Sequence, residues 1–179
     1  GGYVKDPHVG SHDWVVSFDL NSLYPNLIVQ YNMSPETLLP PGDRENACVA
    51  ANGATFTKKF QGMLPRIIIN YSDERKAIKK DMLKAMQENQ RNWSEATERE
   101  INRLENRQMA IKILLNSLYG ALGNKYFRYF NQNVAEGITT SSQLSILTAE
   151  KAMNNAMNDV MKTDKDYVIA IDTDSLYCN

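Results

Sequence analysis

The chain is predicted to be α+β: a small antiparallel sheet with packed helices, beside an α-helical hairpin. Three observations predict it. Short apolar segments end on carboxylates, at Asp19 and at Asp172, as strands do when they deliver polar side chains to a sheet edge. Asn52-Gly53, between Val49 and Phe56, is a hairpin signal, because both residues tolerate the positive φ that tight turns need. From Gly62 onward the apolar positions recur at helical spacing through a charged background, as in Ile78, Met82 and Met86.

Taken in order, Gly1-Gly2-Tyr3-Val4 reads as a turn entering a strand. Trp14 to Phe18 is a short apolar strand ending at Asp19. Ser22 is placed to cap a helix running to about Tyr31, with Pro25 tolerable in its first turn. Pro40-Pro41-Gly42-Asp43 is a loop. A helix over about 62–90 breaks at Asn92-Trp93-Ser94. Ser94 caps the next helix, Glu95 suits its first turn, and Gly123-Asn124 ends it. Together the two helices make a long basic hairpin. A third helix over about 134–161 has Ile138, Ile146, Met153 and Met157 as core candidates, and the strand Tyr167 to Ile171 follows. The expected division is 1–61, 62–128 and 129–179. Both flanks read as cut from a larger protein, with a last strand that lacks partners.

Composition narrows the function. The formal charge of −1 hides an asymmetry: Lys58 to Arg128 holds 15 basic and 8 acidic residues, and the remainder 5 and 13. A basic segment suits a polyanion such as nucleic acid or a nucleoside triphosphate, although charge alone also fits a solvated helix face. Cys48 and Cys178 are single and distant, so neither a disulfide framework nor a zinc cluster is indicated. No apolar run is long enough to span a bilayer, and no signal peptide is evident. A reducing, cytoplasmic setting is expected.

Three places carry chemistry. Asp19 stands at a strand end directly before a helix start, so a metal-binding carboxylate and the free amides of Ser22, Leu23 and Tyr24 share one site, where a triphosphate would find donors. By itself, Asp19 serves equally well as a helix cap. Asp172-Thr173-Asp174-Ser175 follows an apolar strand; taken alone it is an exposed turn. If Asp19, Asp172 and Asp174 converge, two charges about 4 Å apart repel by roughly 4 kcal/mol at an effective dielectric of 20. An oxygen-only set then calls for a hard cation such as Mg²⁺. Lys112, Asn116 and Tyr119 share one face of the second hairpin helix. Gly120, costly in mid-helix, marks a close approach there by ligand or backbone. Arg75 and Lys79 make a second basic stripe on the first.

Asp19-x-x-Ser22-Leu23-Tyr24-Pro25, Lys112-x-x-x-Asn116-Ser117-x-Tyr119-Gly120 and Asp172-Thr173-Asp174-Ser175 resemble, in order, the three polymerase motifs of family B DNA polymerases. Gly2-Tyr3-Val4-Lys5 and Asn32-Met33-Ser34-Pro35-Glu36-Thr37 resemble those of T-even-type bacteriophages. The resemblance implies a partial polymerase palm with a helical-hairpin fingers subdomain. It implies that Asp19 and Asp174, with the Leu20 carbonyl, hold two Mg²⁺ ions (Mn²⁺ as substitute), with Asp172 a carboxylate of lesser weight. Tyr24 is implied as the steric gate against ribonucleotides. Arg75, Lys79, Lys112 and Asn116 are implied as triphosphate contacts, joining the amides of Ser22, Leu23 and Tyr24, and Lys112 is expected to be the catalytic cation at the leaving group. Tyr119 and Gly120 would abut the nascent base pair, and Gly1 to Tyr3 would touch template. The partners implied are primer-template DNA and dNTPs, with a sliding clamp and replisome proteins bound through other regions, and no membrane. A phage origin would place the protein in host cytoplasm. Ile171, standing where a small residue is usual, is expected to crowd the primer end.

Two other readings compete. Clustered carboxylates also serve metal-dependent nucleases, though the Lys112 to Gly120 face is then unexplained. A nucleic-acid or nucleotide-binding fragment, inactive in isolation, is the other. Asp43-Arg44-Glu45 has proofreading-exonuclease spacing but lies in a Pro-Gly loop. His8 and His12 are separated by Gly10, which argues against a shared metal, and no Walker phosphate loop is present.

Overall fold

The apolar run Val168-Ile169-Ala170-Ile171 becomes an inner strand. In the computed structural model, which describes residues 1–179, the chain runs β1 (Val4–Lys5), β2 (Val16–Asp19), α1 (Leu23–Gln30), β3 (Ala47–Val49) and β4 (Thr55–Thr57). It continues through α2 (Met63–Arg91), α3 (Glu95–Leu122), α4 (Gln132–Met161), β5 (Val168–Asp172) and β6 (Ser175–Cys178). Four strands form one antiparallel sheet in the order β1-β5-β6-β2. The class is therefore α+β, as predicted. The β3–β4 hairpin forms around Asn52-Gly53, with Gly53 at φ +84°.

Two strand expectations change. The last strand does not lack partners: β6 pairs with β5 on one side and β2 on the other. Long-range pairing across the whole chain completes the sheet, which no local pattern announces. The strand expected over Trp14 to Phe18 runs Val16–Asp19 instead. It is an edge strand, with Val16 and Phe18 about half exposed and Trp14 outside it at φ +59°.

The helices follow their caps. Ser94 accepts from the Thr97 N–H, and Asn131 accepts from the Val134 N–H, starting α3 and α4. Ser22 precedes α1 but does not cap it with its side chain. Its backbone is left-handed at φ +53°, and its hydroxyl donates to Asn21 Oδ1 instead. Along α2, Ile78 is buried but Met86 is exposed, because the distal hairpin extends past the rest of the core.

Buried side chains form two clusters. The larger lies where α1, the β3–β4 hairpin, α2, α3 and the start of α4 meet, around Ile28, Phe56, Leu64, Ile68 and Leu122. The smaller joins Ile146 of α4 to Val168, Ile171, Leu176 and Cys178. Ile171 thus faces α4, not the sheet end, because β5 turns that position to the covered side. Its predicted crowding of a primer end does not follow. No helix is long and apolar enough to cross a membrane.

Candidate active site

Sheet pairing brings the two acidic motifs together. Asp19 ends β2 and pairs in register with Ser175. The Ser175 hydroxyl donates to Asp19 Oδ2 at 3.1 Å, and the Leu20 N–H donates to the Asp174 carbonyl at 2.7 Å. Asp174 lies in the two-residue turn between β5 and β6. Its carboxyl is pushed above the ordinary range, first by partial burial and then by the charges of Asp19 and Asp172.

Neither Asp19 nor Asp174 takes part in any of the ion pairs of the molecule. The pair therefore offers uncompensated, oxygen-only negative charge, which fits a hard cation. No group of three or more His, Cys, Asp and Glu side chains is placed to hold a metal ion. Two carboxylates completed by substrate phosphates is a common way to bind Mg²⁺, which keeps few protein ligands. The structure brings two, not three, carboxylates to the cavity wall. Asp172 is exposed at the end of β5, and Oδ1 accepts from the Thr173 hydroxyl at 3.1 Å. It acts on Asp174 through its field.

The hairpin shares a cavity with the carboxylates. This cavity of about 570 Å³ is lined by Asp19 and Asp174 of the sheet, by Arg75, Lys79, Lys112 and Asn116 of the hairpin, and by Ser22, Leu23 and Tyr24 of the α1 start. The Arg75 Nε–H donates to Gln108 Oε1 at 3.1 Å, so α3 holds that guanidinium in place. Arg107 of α3 pairs with Glu74 of α2 at 2.6 Å and ties the hairpin together. Tyr24 and Tyr119 pack ring to ring, 4.9 Å between centroids at 58°. Burial pushes the Tyr24 phenol up.

Of the residues singled out by sequence, Leu20, Asp172, Tyr119 and Gly120 do not line this cavity. Leu20 packs instead against the smaller core cluster. Tyr119 borders a second, more open cavity of about 520 Å³ between Gly1 and the Gly123–Tyr126 segment. A side chain at Gly120 would meet open space, so no backbone of this chain makes the close approach expected there. Four lining residues carried no assigned role: Asn21, Pro25, Leu115 and Thr173. Asn21 and Pro25 had a signal in the first motif, and Thr173 in the third. Leu115 had only its place beside Asn116.

An antiparallel sheet that joins two carboxylates at one end and a basic helical hairpin line one cavity, an arrangement whose chemistry suits a cation and a polyanion together. The family profile described as DNA polymerase family B matches residues 1–179. The chain is similar to "DNA polymerase 1" of Pyrococcus abyssi, 34% identical over 99% of this chain and 21% of that protein. The DNA-directed DNA polymerases of Escherichia phage RB69 and Enterobacteria phage T4 are each 30% identical over 99% of this chain and 26% of theirs. A solved family B DNA polymerase from Pyrobaculum calidifontis superposes with a TM-score of 0.66 at 26% identity, covering 99% of this chain and 21% of that one. The chain belongs to DNA polymerase family B. It spans about a fifth to a quarter of the length of these relatives. The likeness to T-even-type phage enzymes is shared with archaeal ones.

Proposed function

We propose that this chain carries the nucleotidyl-transfer centre of a DNA-directed DNA polymerase, joining a dNTP to a primer 3′-hydroxyl. The observation that carries the reading is the single cavity lined both by two carboxylates outside any ion pair, Asp19 and Asp174, and by the cations Arg75, Lys79 and Lys112. That is the charge order a triphosphate bound with metal requires. Asp19 and Asp174 would hold Mg²⁺. When bound, two such ions activate the attacking hydroxyl and stabilise the leaving pyrophosphate.

The chain's own residues do the rest. Lys79, Arg75 and Lys112 hold the phosphates, and Lys112 neutralises or protonates the leaving group. Asn116 adds a neutral donor one helical turn further on. The amides at the α1 start add oriented N–H groups. Tyr24, held by Tyr119, presents a rigid ring beside the sugar and excludes a 2′-hydroxyl. Tyr119 and Gly120 flank the nascent base pair, and the second cavity beside Gly1 and Tyr126 takes template. The division into palm (1–61 and 129–179) and fingers (62–128) belongs to the same proposal, as do partners reached through other regions. A nuclease reading leaves the basic wall without a role.

Asp19→Ala and Asp174→Ala are the test. In the polymerase that carries this segment, each is expected to lower primer extension by at least a thousandfold, measured in single-turnover assays with duplex binding retained. Extension near the wild-type rate overturns the proposal.

A further inference from the structure

Thr173, which separates the two acidic residues of the β5–β6 turn, is strained. It is β-branched yet sits at φ +55°, a left-handed conformation such residues avoid. Residues of this kind persist only where their surroundings over-determine them. Here the surroundings are the start of the chain. The Thr173 N–H donates to the Tyr3 carbonyl at 2.9 Å. The Thr173 side chain rests on Gly2 so closely that a Cβ there would come within 2.6 to 2.9 Å of three of its atoms.

Gly2 and Tyr3 lead directly into β1, which is only two residues long and pairs at Val4↔Asp172 and Lys5↔Ile171. So short a ladder at a sheet edge is weak by itself. Lys5 reinforces it. Its ammonium donates to Glu150 of α4 at 2.6 Å and to Asp166, just before β5, at 2.5 Å. The side chain is 16% exposed. Burial works against the charge, yet the two carboxylates hold the ammonium above its ordinary value.

We infer that Lys5 is a positioning residue: its ion pairs to Glu150 and Asp166 fix β1 so that Gly2 and Tyr3 hold the Thr173 turn, and with it Asp174, facing Asp19. This rests on the proposed metal role of Asp19 and Asp174. It assigns the N-terminal strand a task on the acidic site that is separate from any contact with DNA.

The test uses the full chain with the substitutions Lys5→Met, Lys5→Arg, Glu150→Gln and Asp19→Asn. Two readouts are taken: Mn²⁺ affinity with dATP present, by paramagnetic resonance, and amide hydrogen exchange. Lys5→Met is expected to speed exchange at Thr173 at least tenfold and weaken Mn²⁺ binding at least fivefold, with Ile111 and Leu115 in α3 unchanged. Lys5→Arg is expected to restore both to within twofold. Exchange at Thr173 within twofold of wild type in Lys5→Met overturns the inference. So does faster Thr173 exchange with unchanged Mn²⁺ affinity, provided that Asp19→Asn lowers that affinity. If Lys5→Met loosens α3 as well, the milder Glu150→Gln decides, and unchanged Thr173 exchange there overturns the inference. If Asp19→Asn also leaves Mn²⁺ binding intact, the metal reading falls, and Thr173 exchange alone still decides whether Lys5 holds the turn.

Discussion

Asp174 is where function and stability pull in opposite directions. Partial burial, followed by the charges of Asp19 and Asp172, raises its carboxyl above the ordinary value. A carboxyl with a higher pKa folded than unfolded binds its proton more tightly in the fold. It therefore favours folding at low pH, and that contribution is lost as pH rises through the raised value. Asp174→Asn removes the charge at nearly constant shape. With solvent screening allowed for, relief of about 1 kcal/mol is reasonable, or roughly 2–4 °C in Tm for a chain of this size. Thermal unfolding is expected to show that gain at pH 7 and none near pH ~3, where unfolded carboxyls also hold protons. A variant no more stable than wild type at pH 7 would mean that the carboxylates do not repel. At this scale the acidic pair was legible, because carboxylates after apolar strands are uncommon. What the letters did not show is direction: Asp172 faces solvent and Ile171 faces α4, since a one-residue step on a strand reverses the face.

The hairpin is held at its base as well as along its length. Helix α2 begins after Gly62, which has no side chain to cap it. Glu36 serves instead: it accepts the Met63 N–H and, at 2.6 Å, the Ser34 hydroxyl. Burial opposes its charge, but those donors and nearby Arg66 hold the carboxyl below its ordinary value. A lowered carboxyl contributes stability above the unfolded pKa and loses it as pH falls through the lowered one. Glu36→Gln is expected to cost about 1–2 kcal/mol at pH 7, or roughly 2–8 °C in Tm. Below pH ~3 the gap should close. A pH-independent loss would instead mean that shape, not charge, matters at this position. The bounds of α2, α3 and α4 were nearly readable, because periodicity and caps are local signals. The capping of α2 was not, because its partner Glu36 lies in a short 3-10 helix, Pro35–Thr37, far back in the chain, and neither was the pairing of β2 with β6.

The molecule has two cores of unequal size, and the acidic site stands on the smaller. Fourteen buried residues make the core under the hairpin, and five make the core under the sheet. Helix α4 contributes Val134, Ala135 and Ile138 to the first and Ile146 to the second. Two helical turns, about 12 Å, separate Ile138 from Ile146, so the cores communicate mainly through one rod. Ile146 is fully buried, and truncating such a side chain costs on the order of 2–5 kcal/mol. With so few neighbours to share that loss, Ile146→Ala should fall on the sheet. Hydrogen exchange is expected to quicken at Ile171 and Leu176 by at least tenfold while Ile68 and Ile111 keep their protection, as separate local units do. Equal loosening at all four would show a single cooperative unit. The expected pattern has a functional consequence. The carboxylates would be carried on the more yielding half of the molecule and the basic side chains on the firmer one, so the geometry between them would depend on whatever stiffens the sheet, with β1 and its lysine first among those supports.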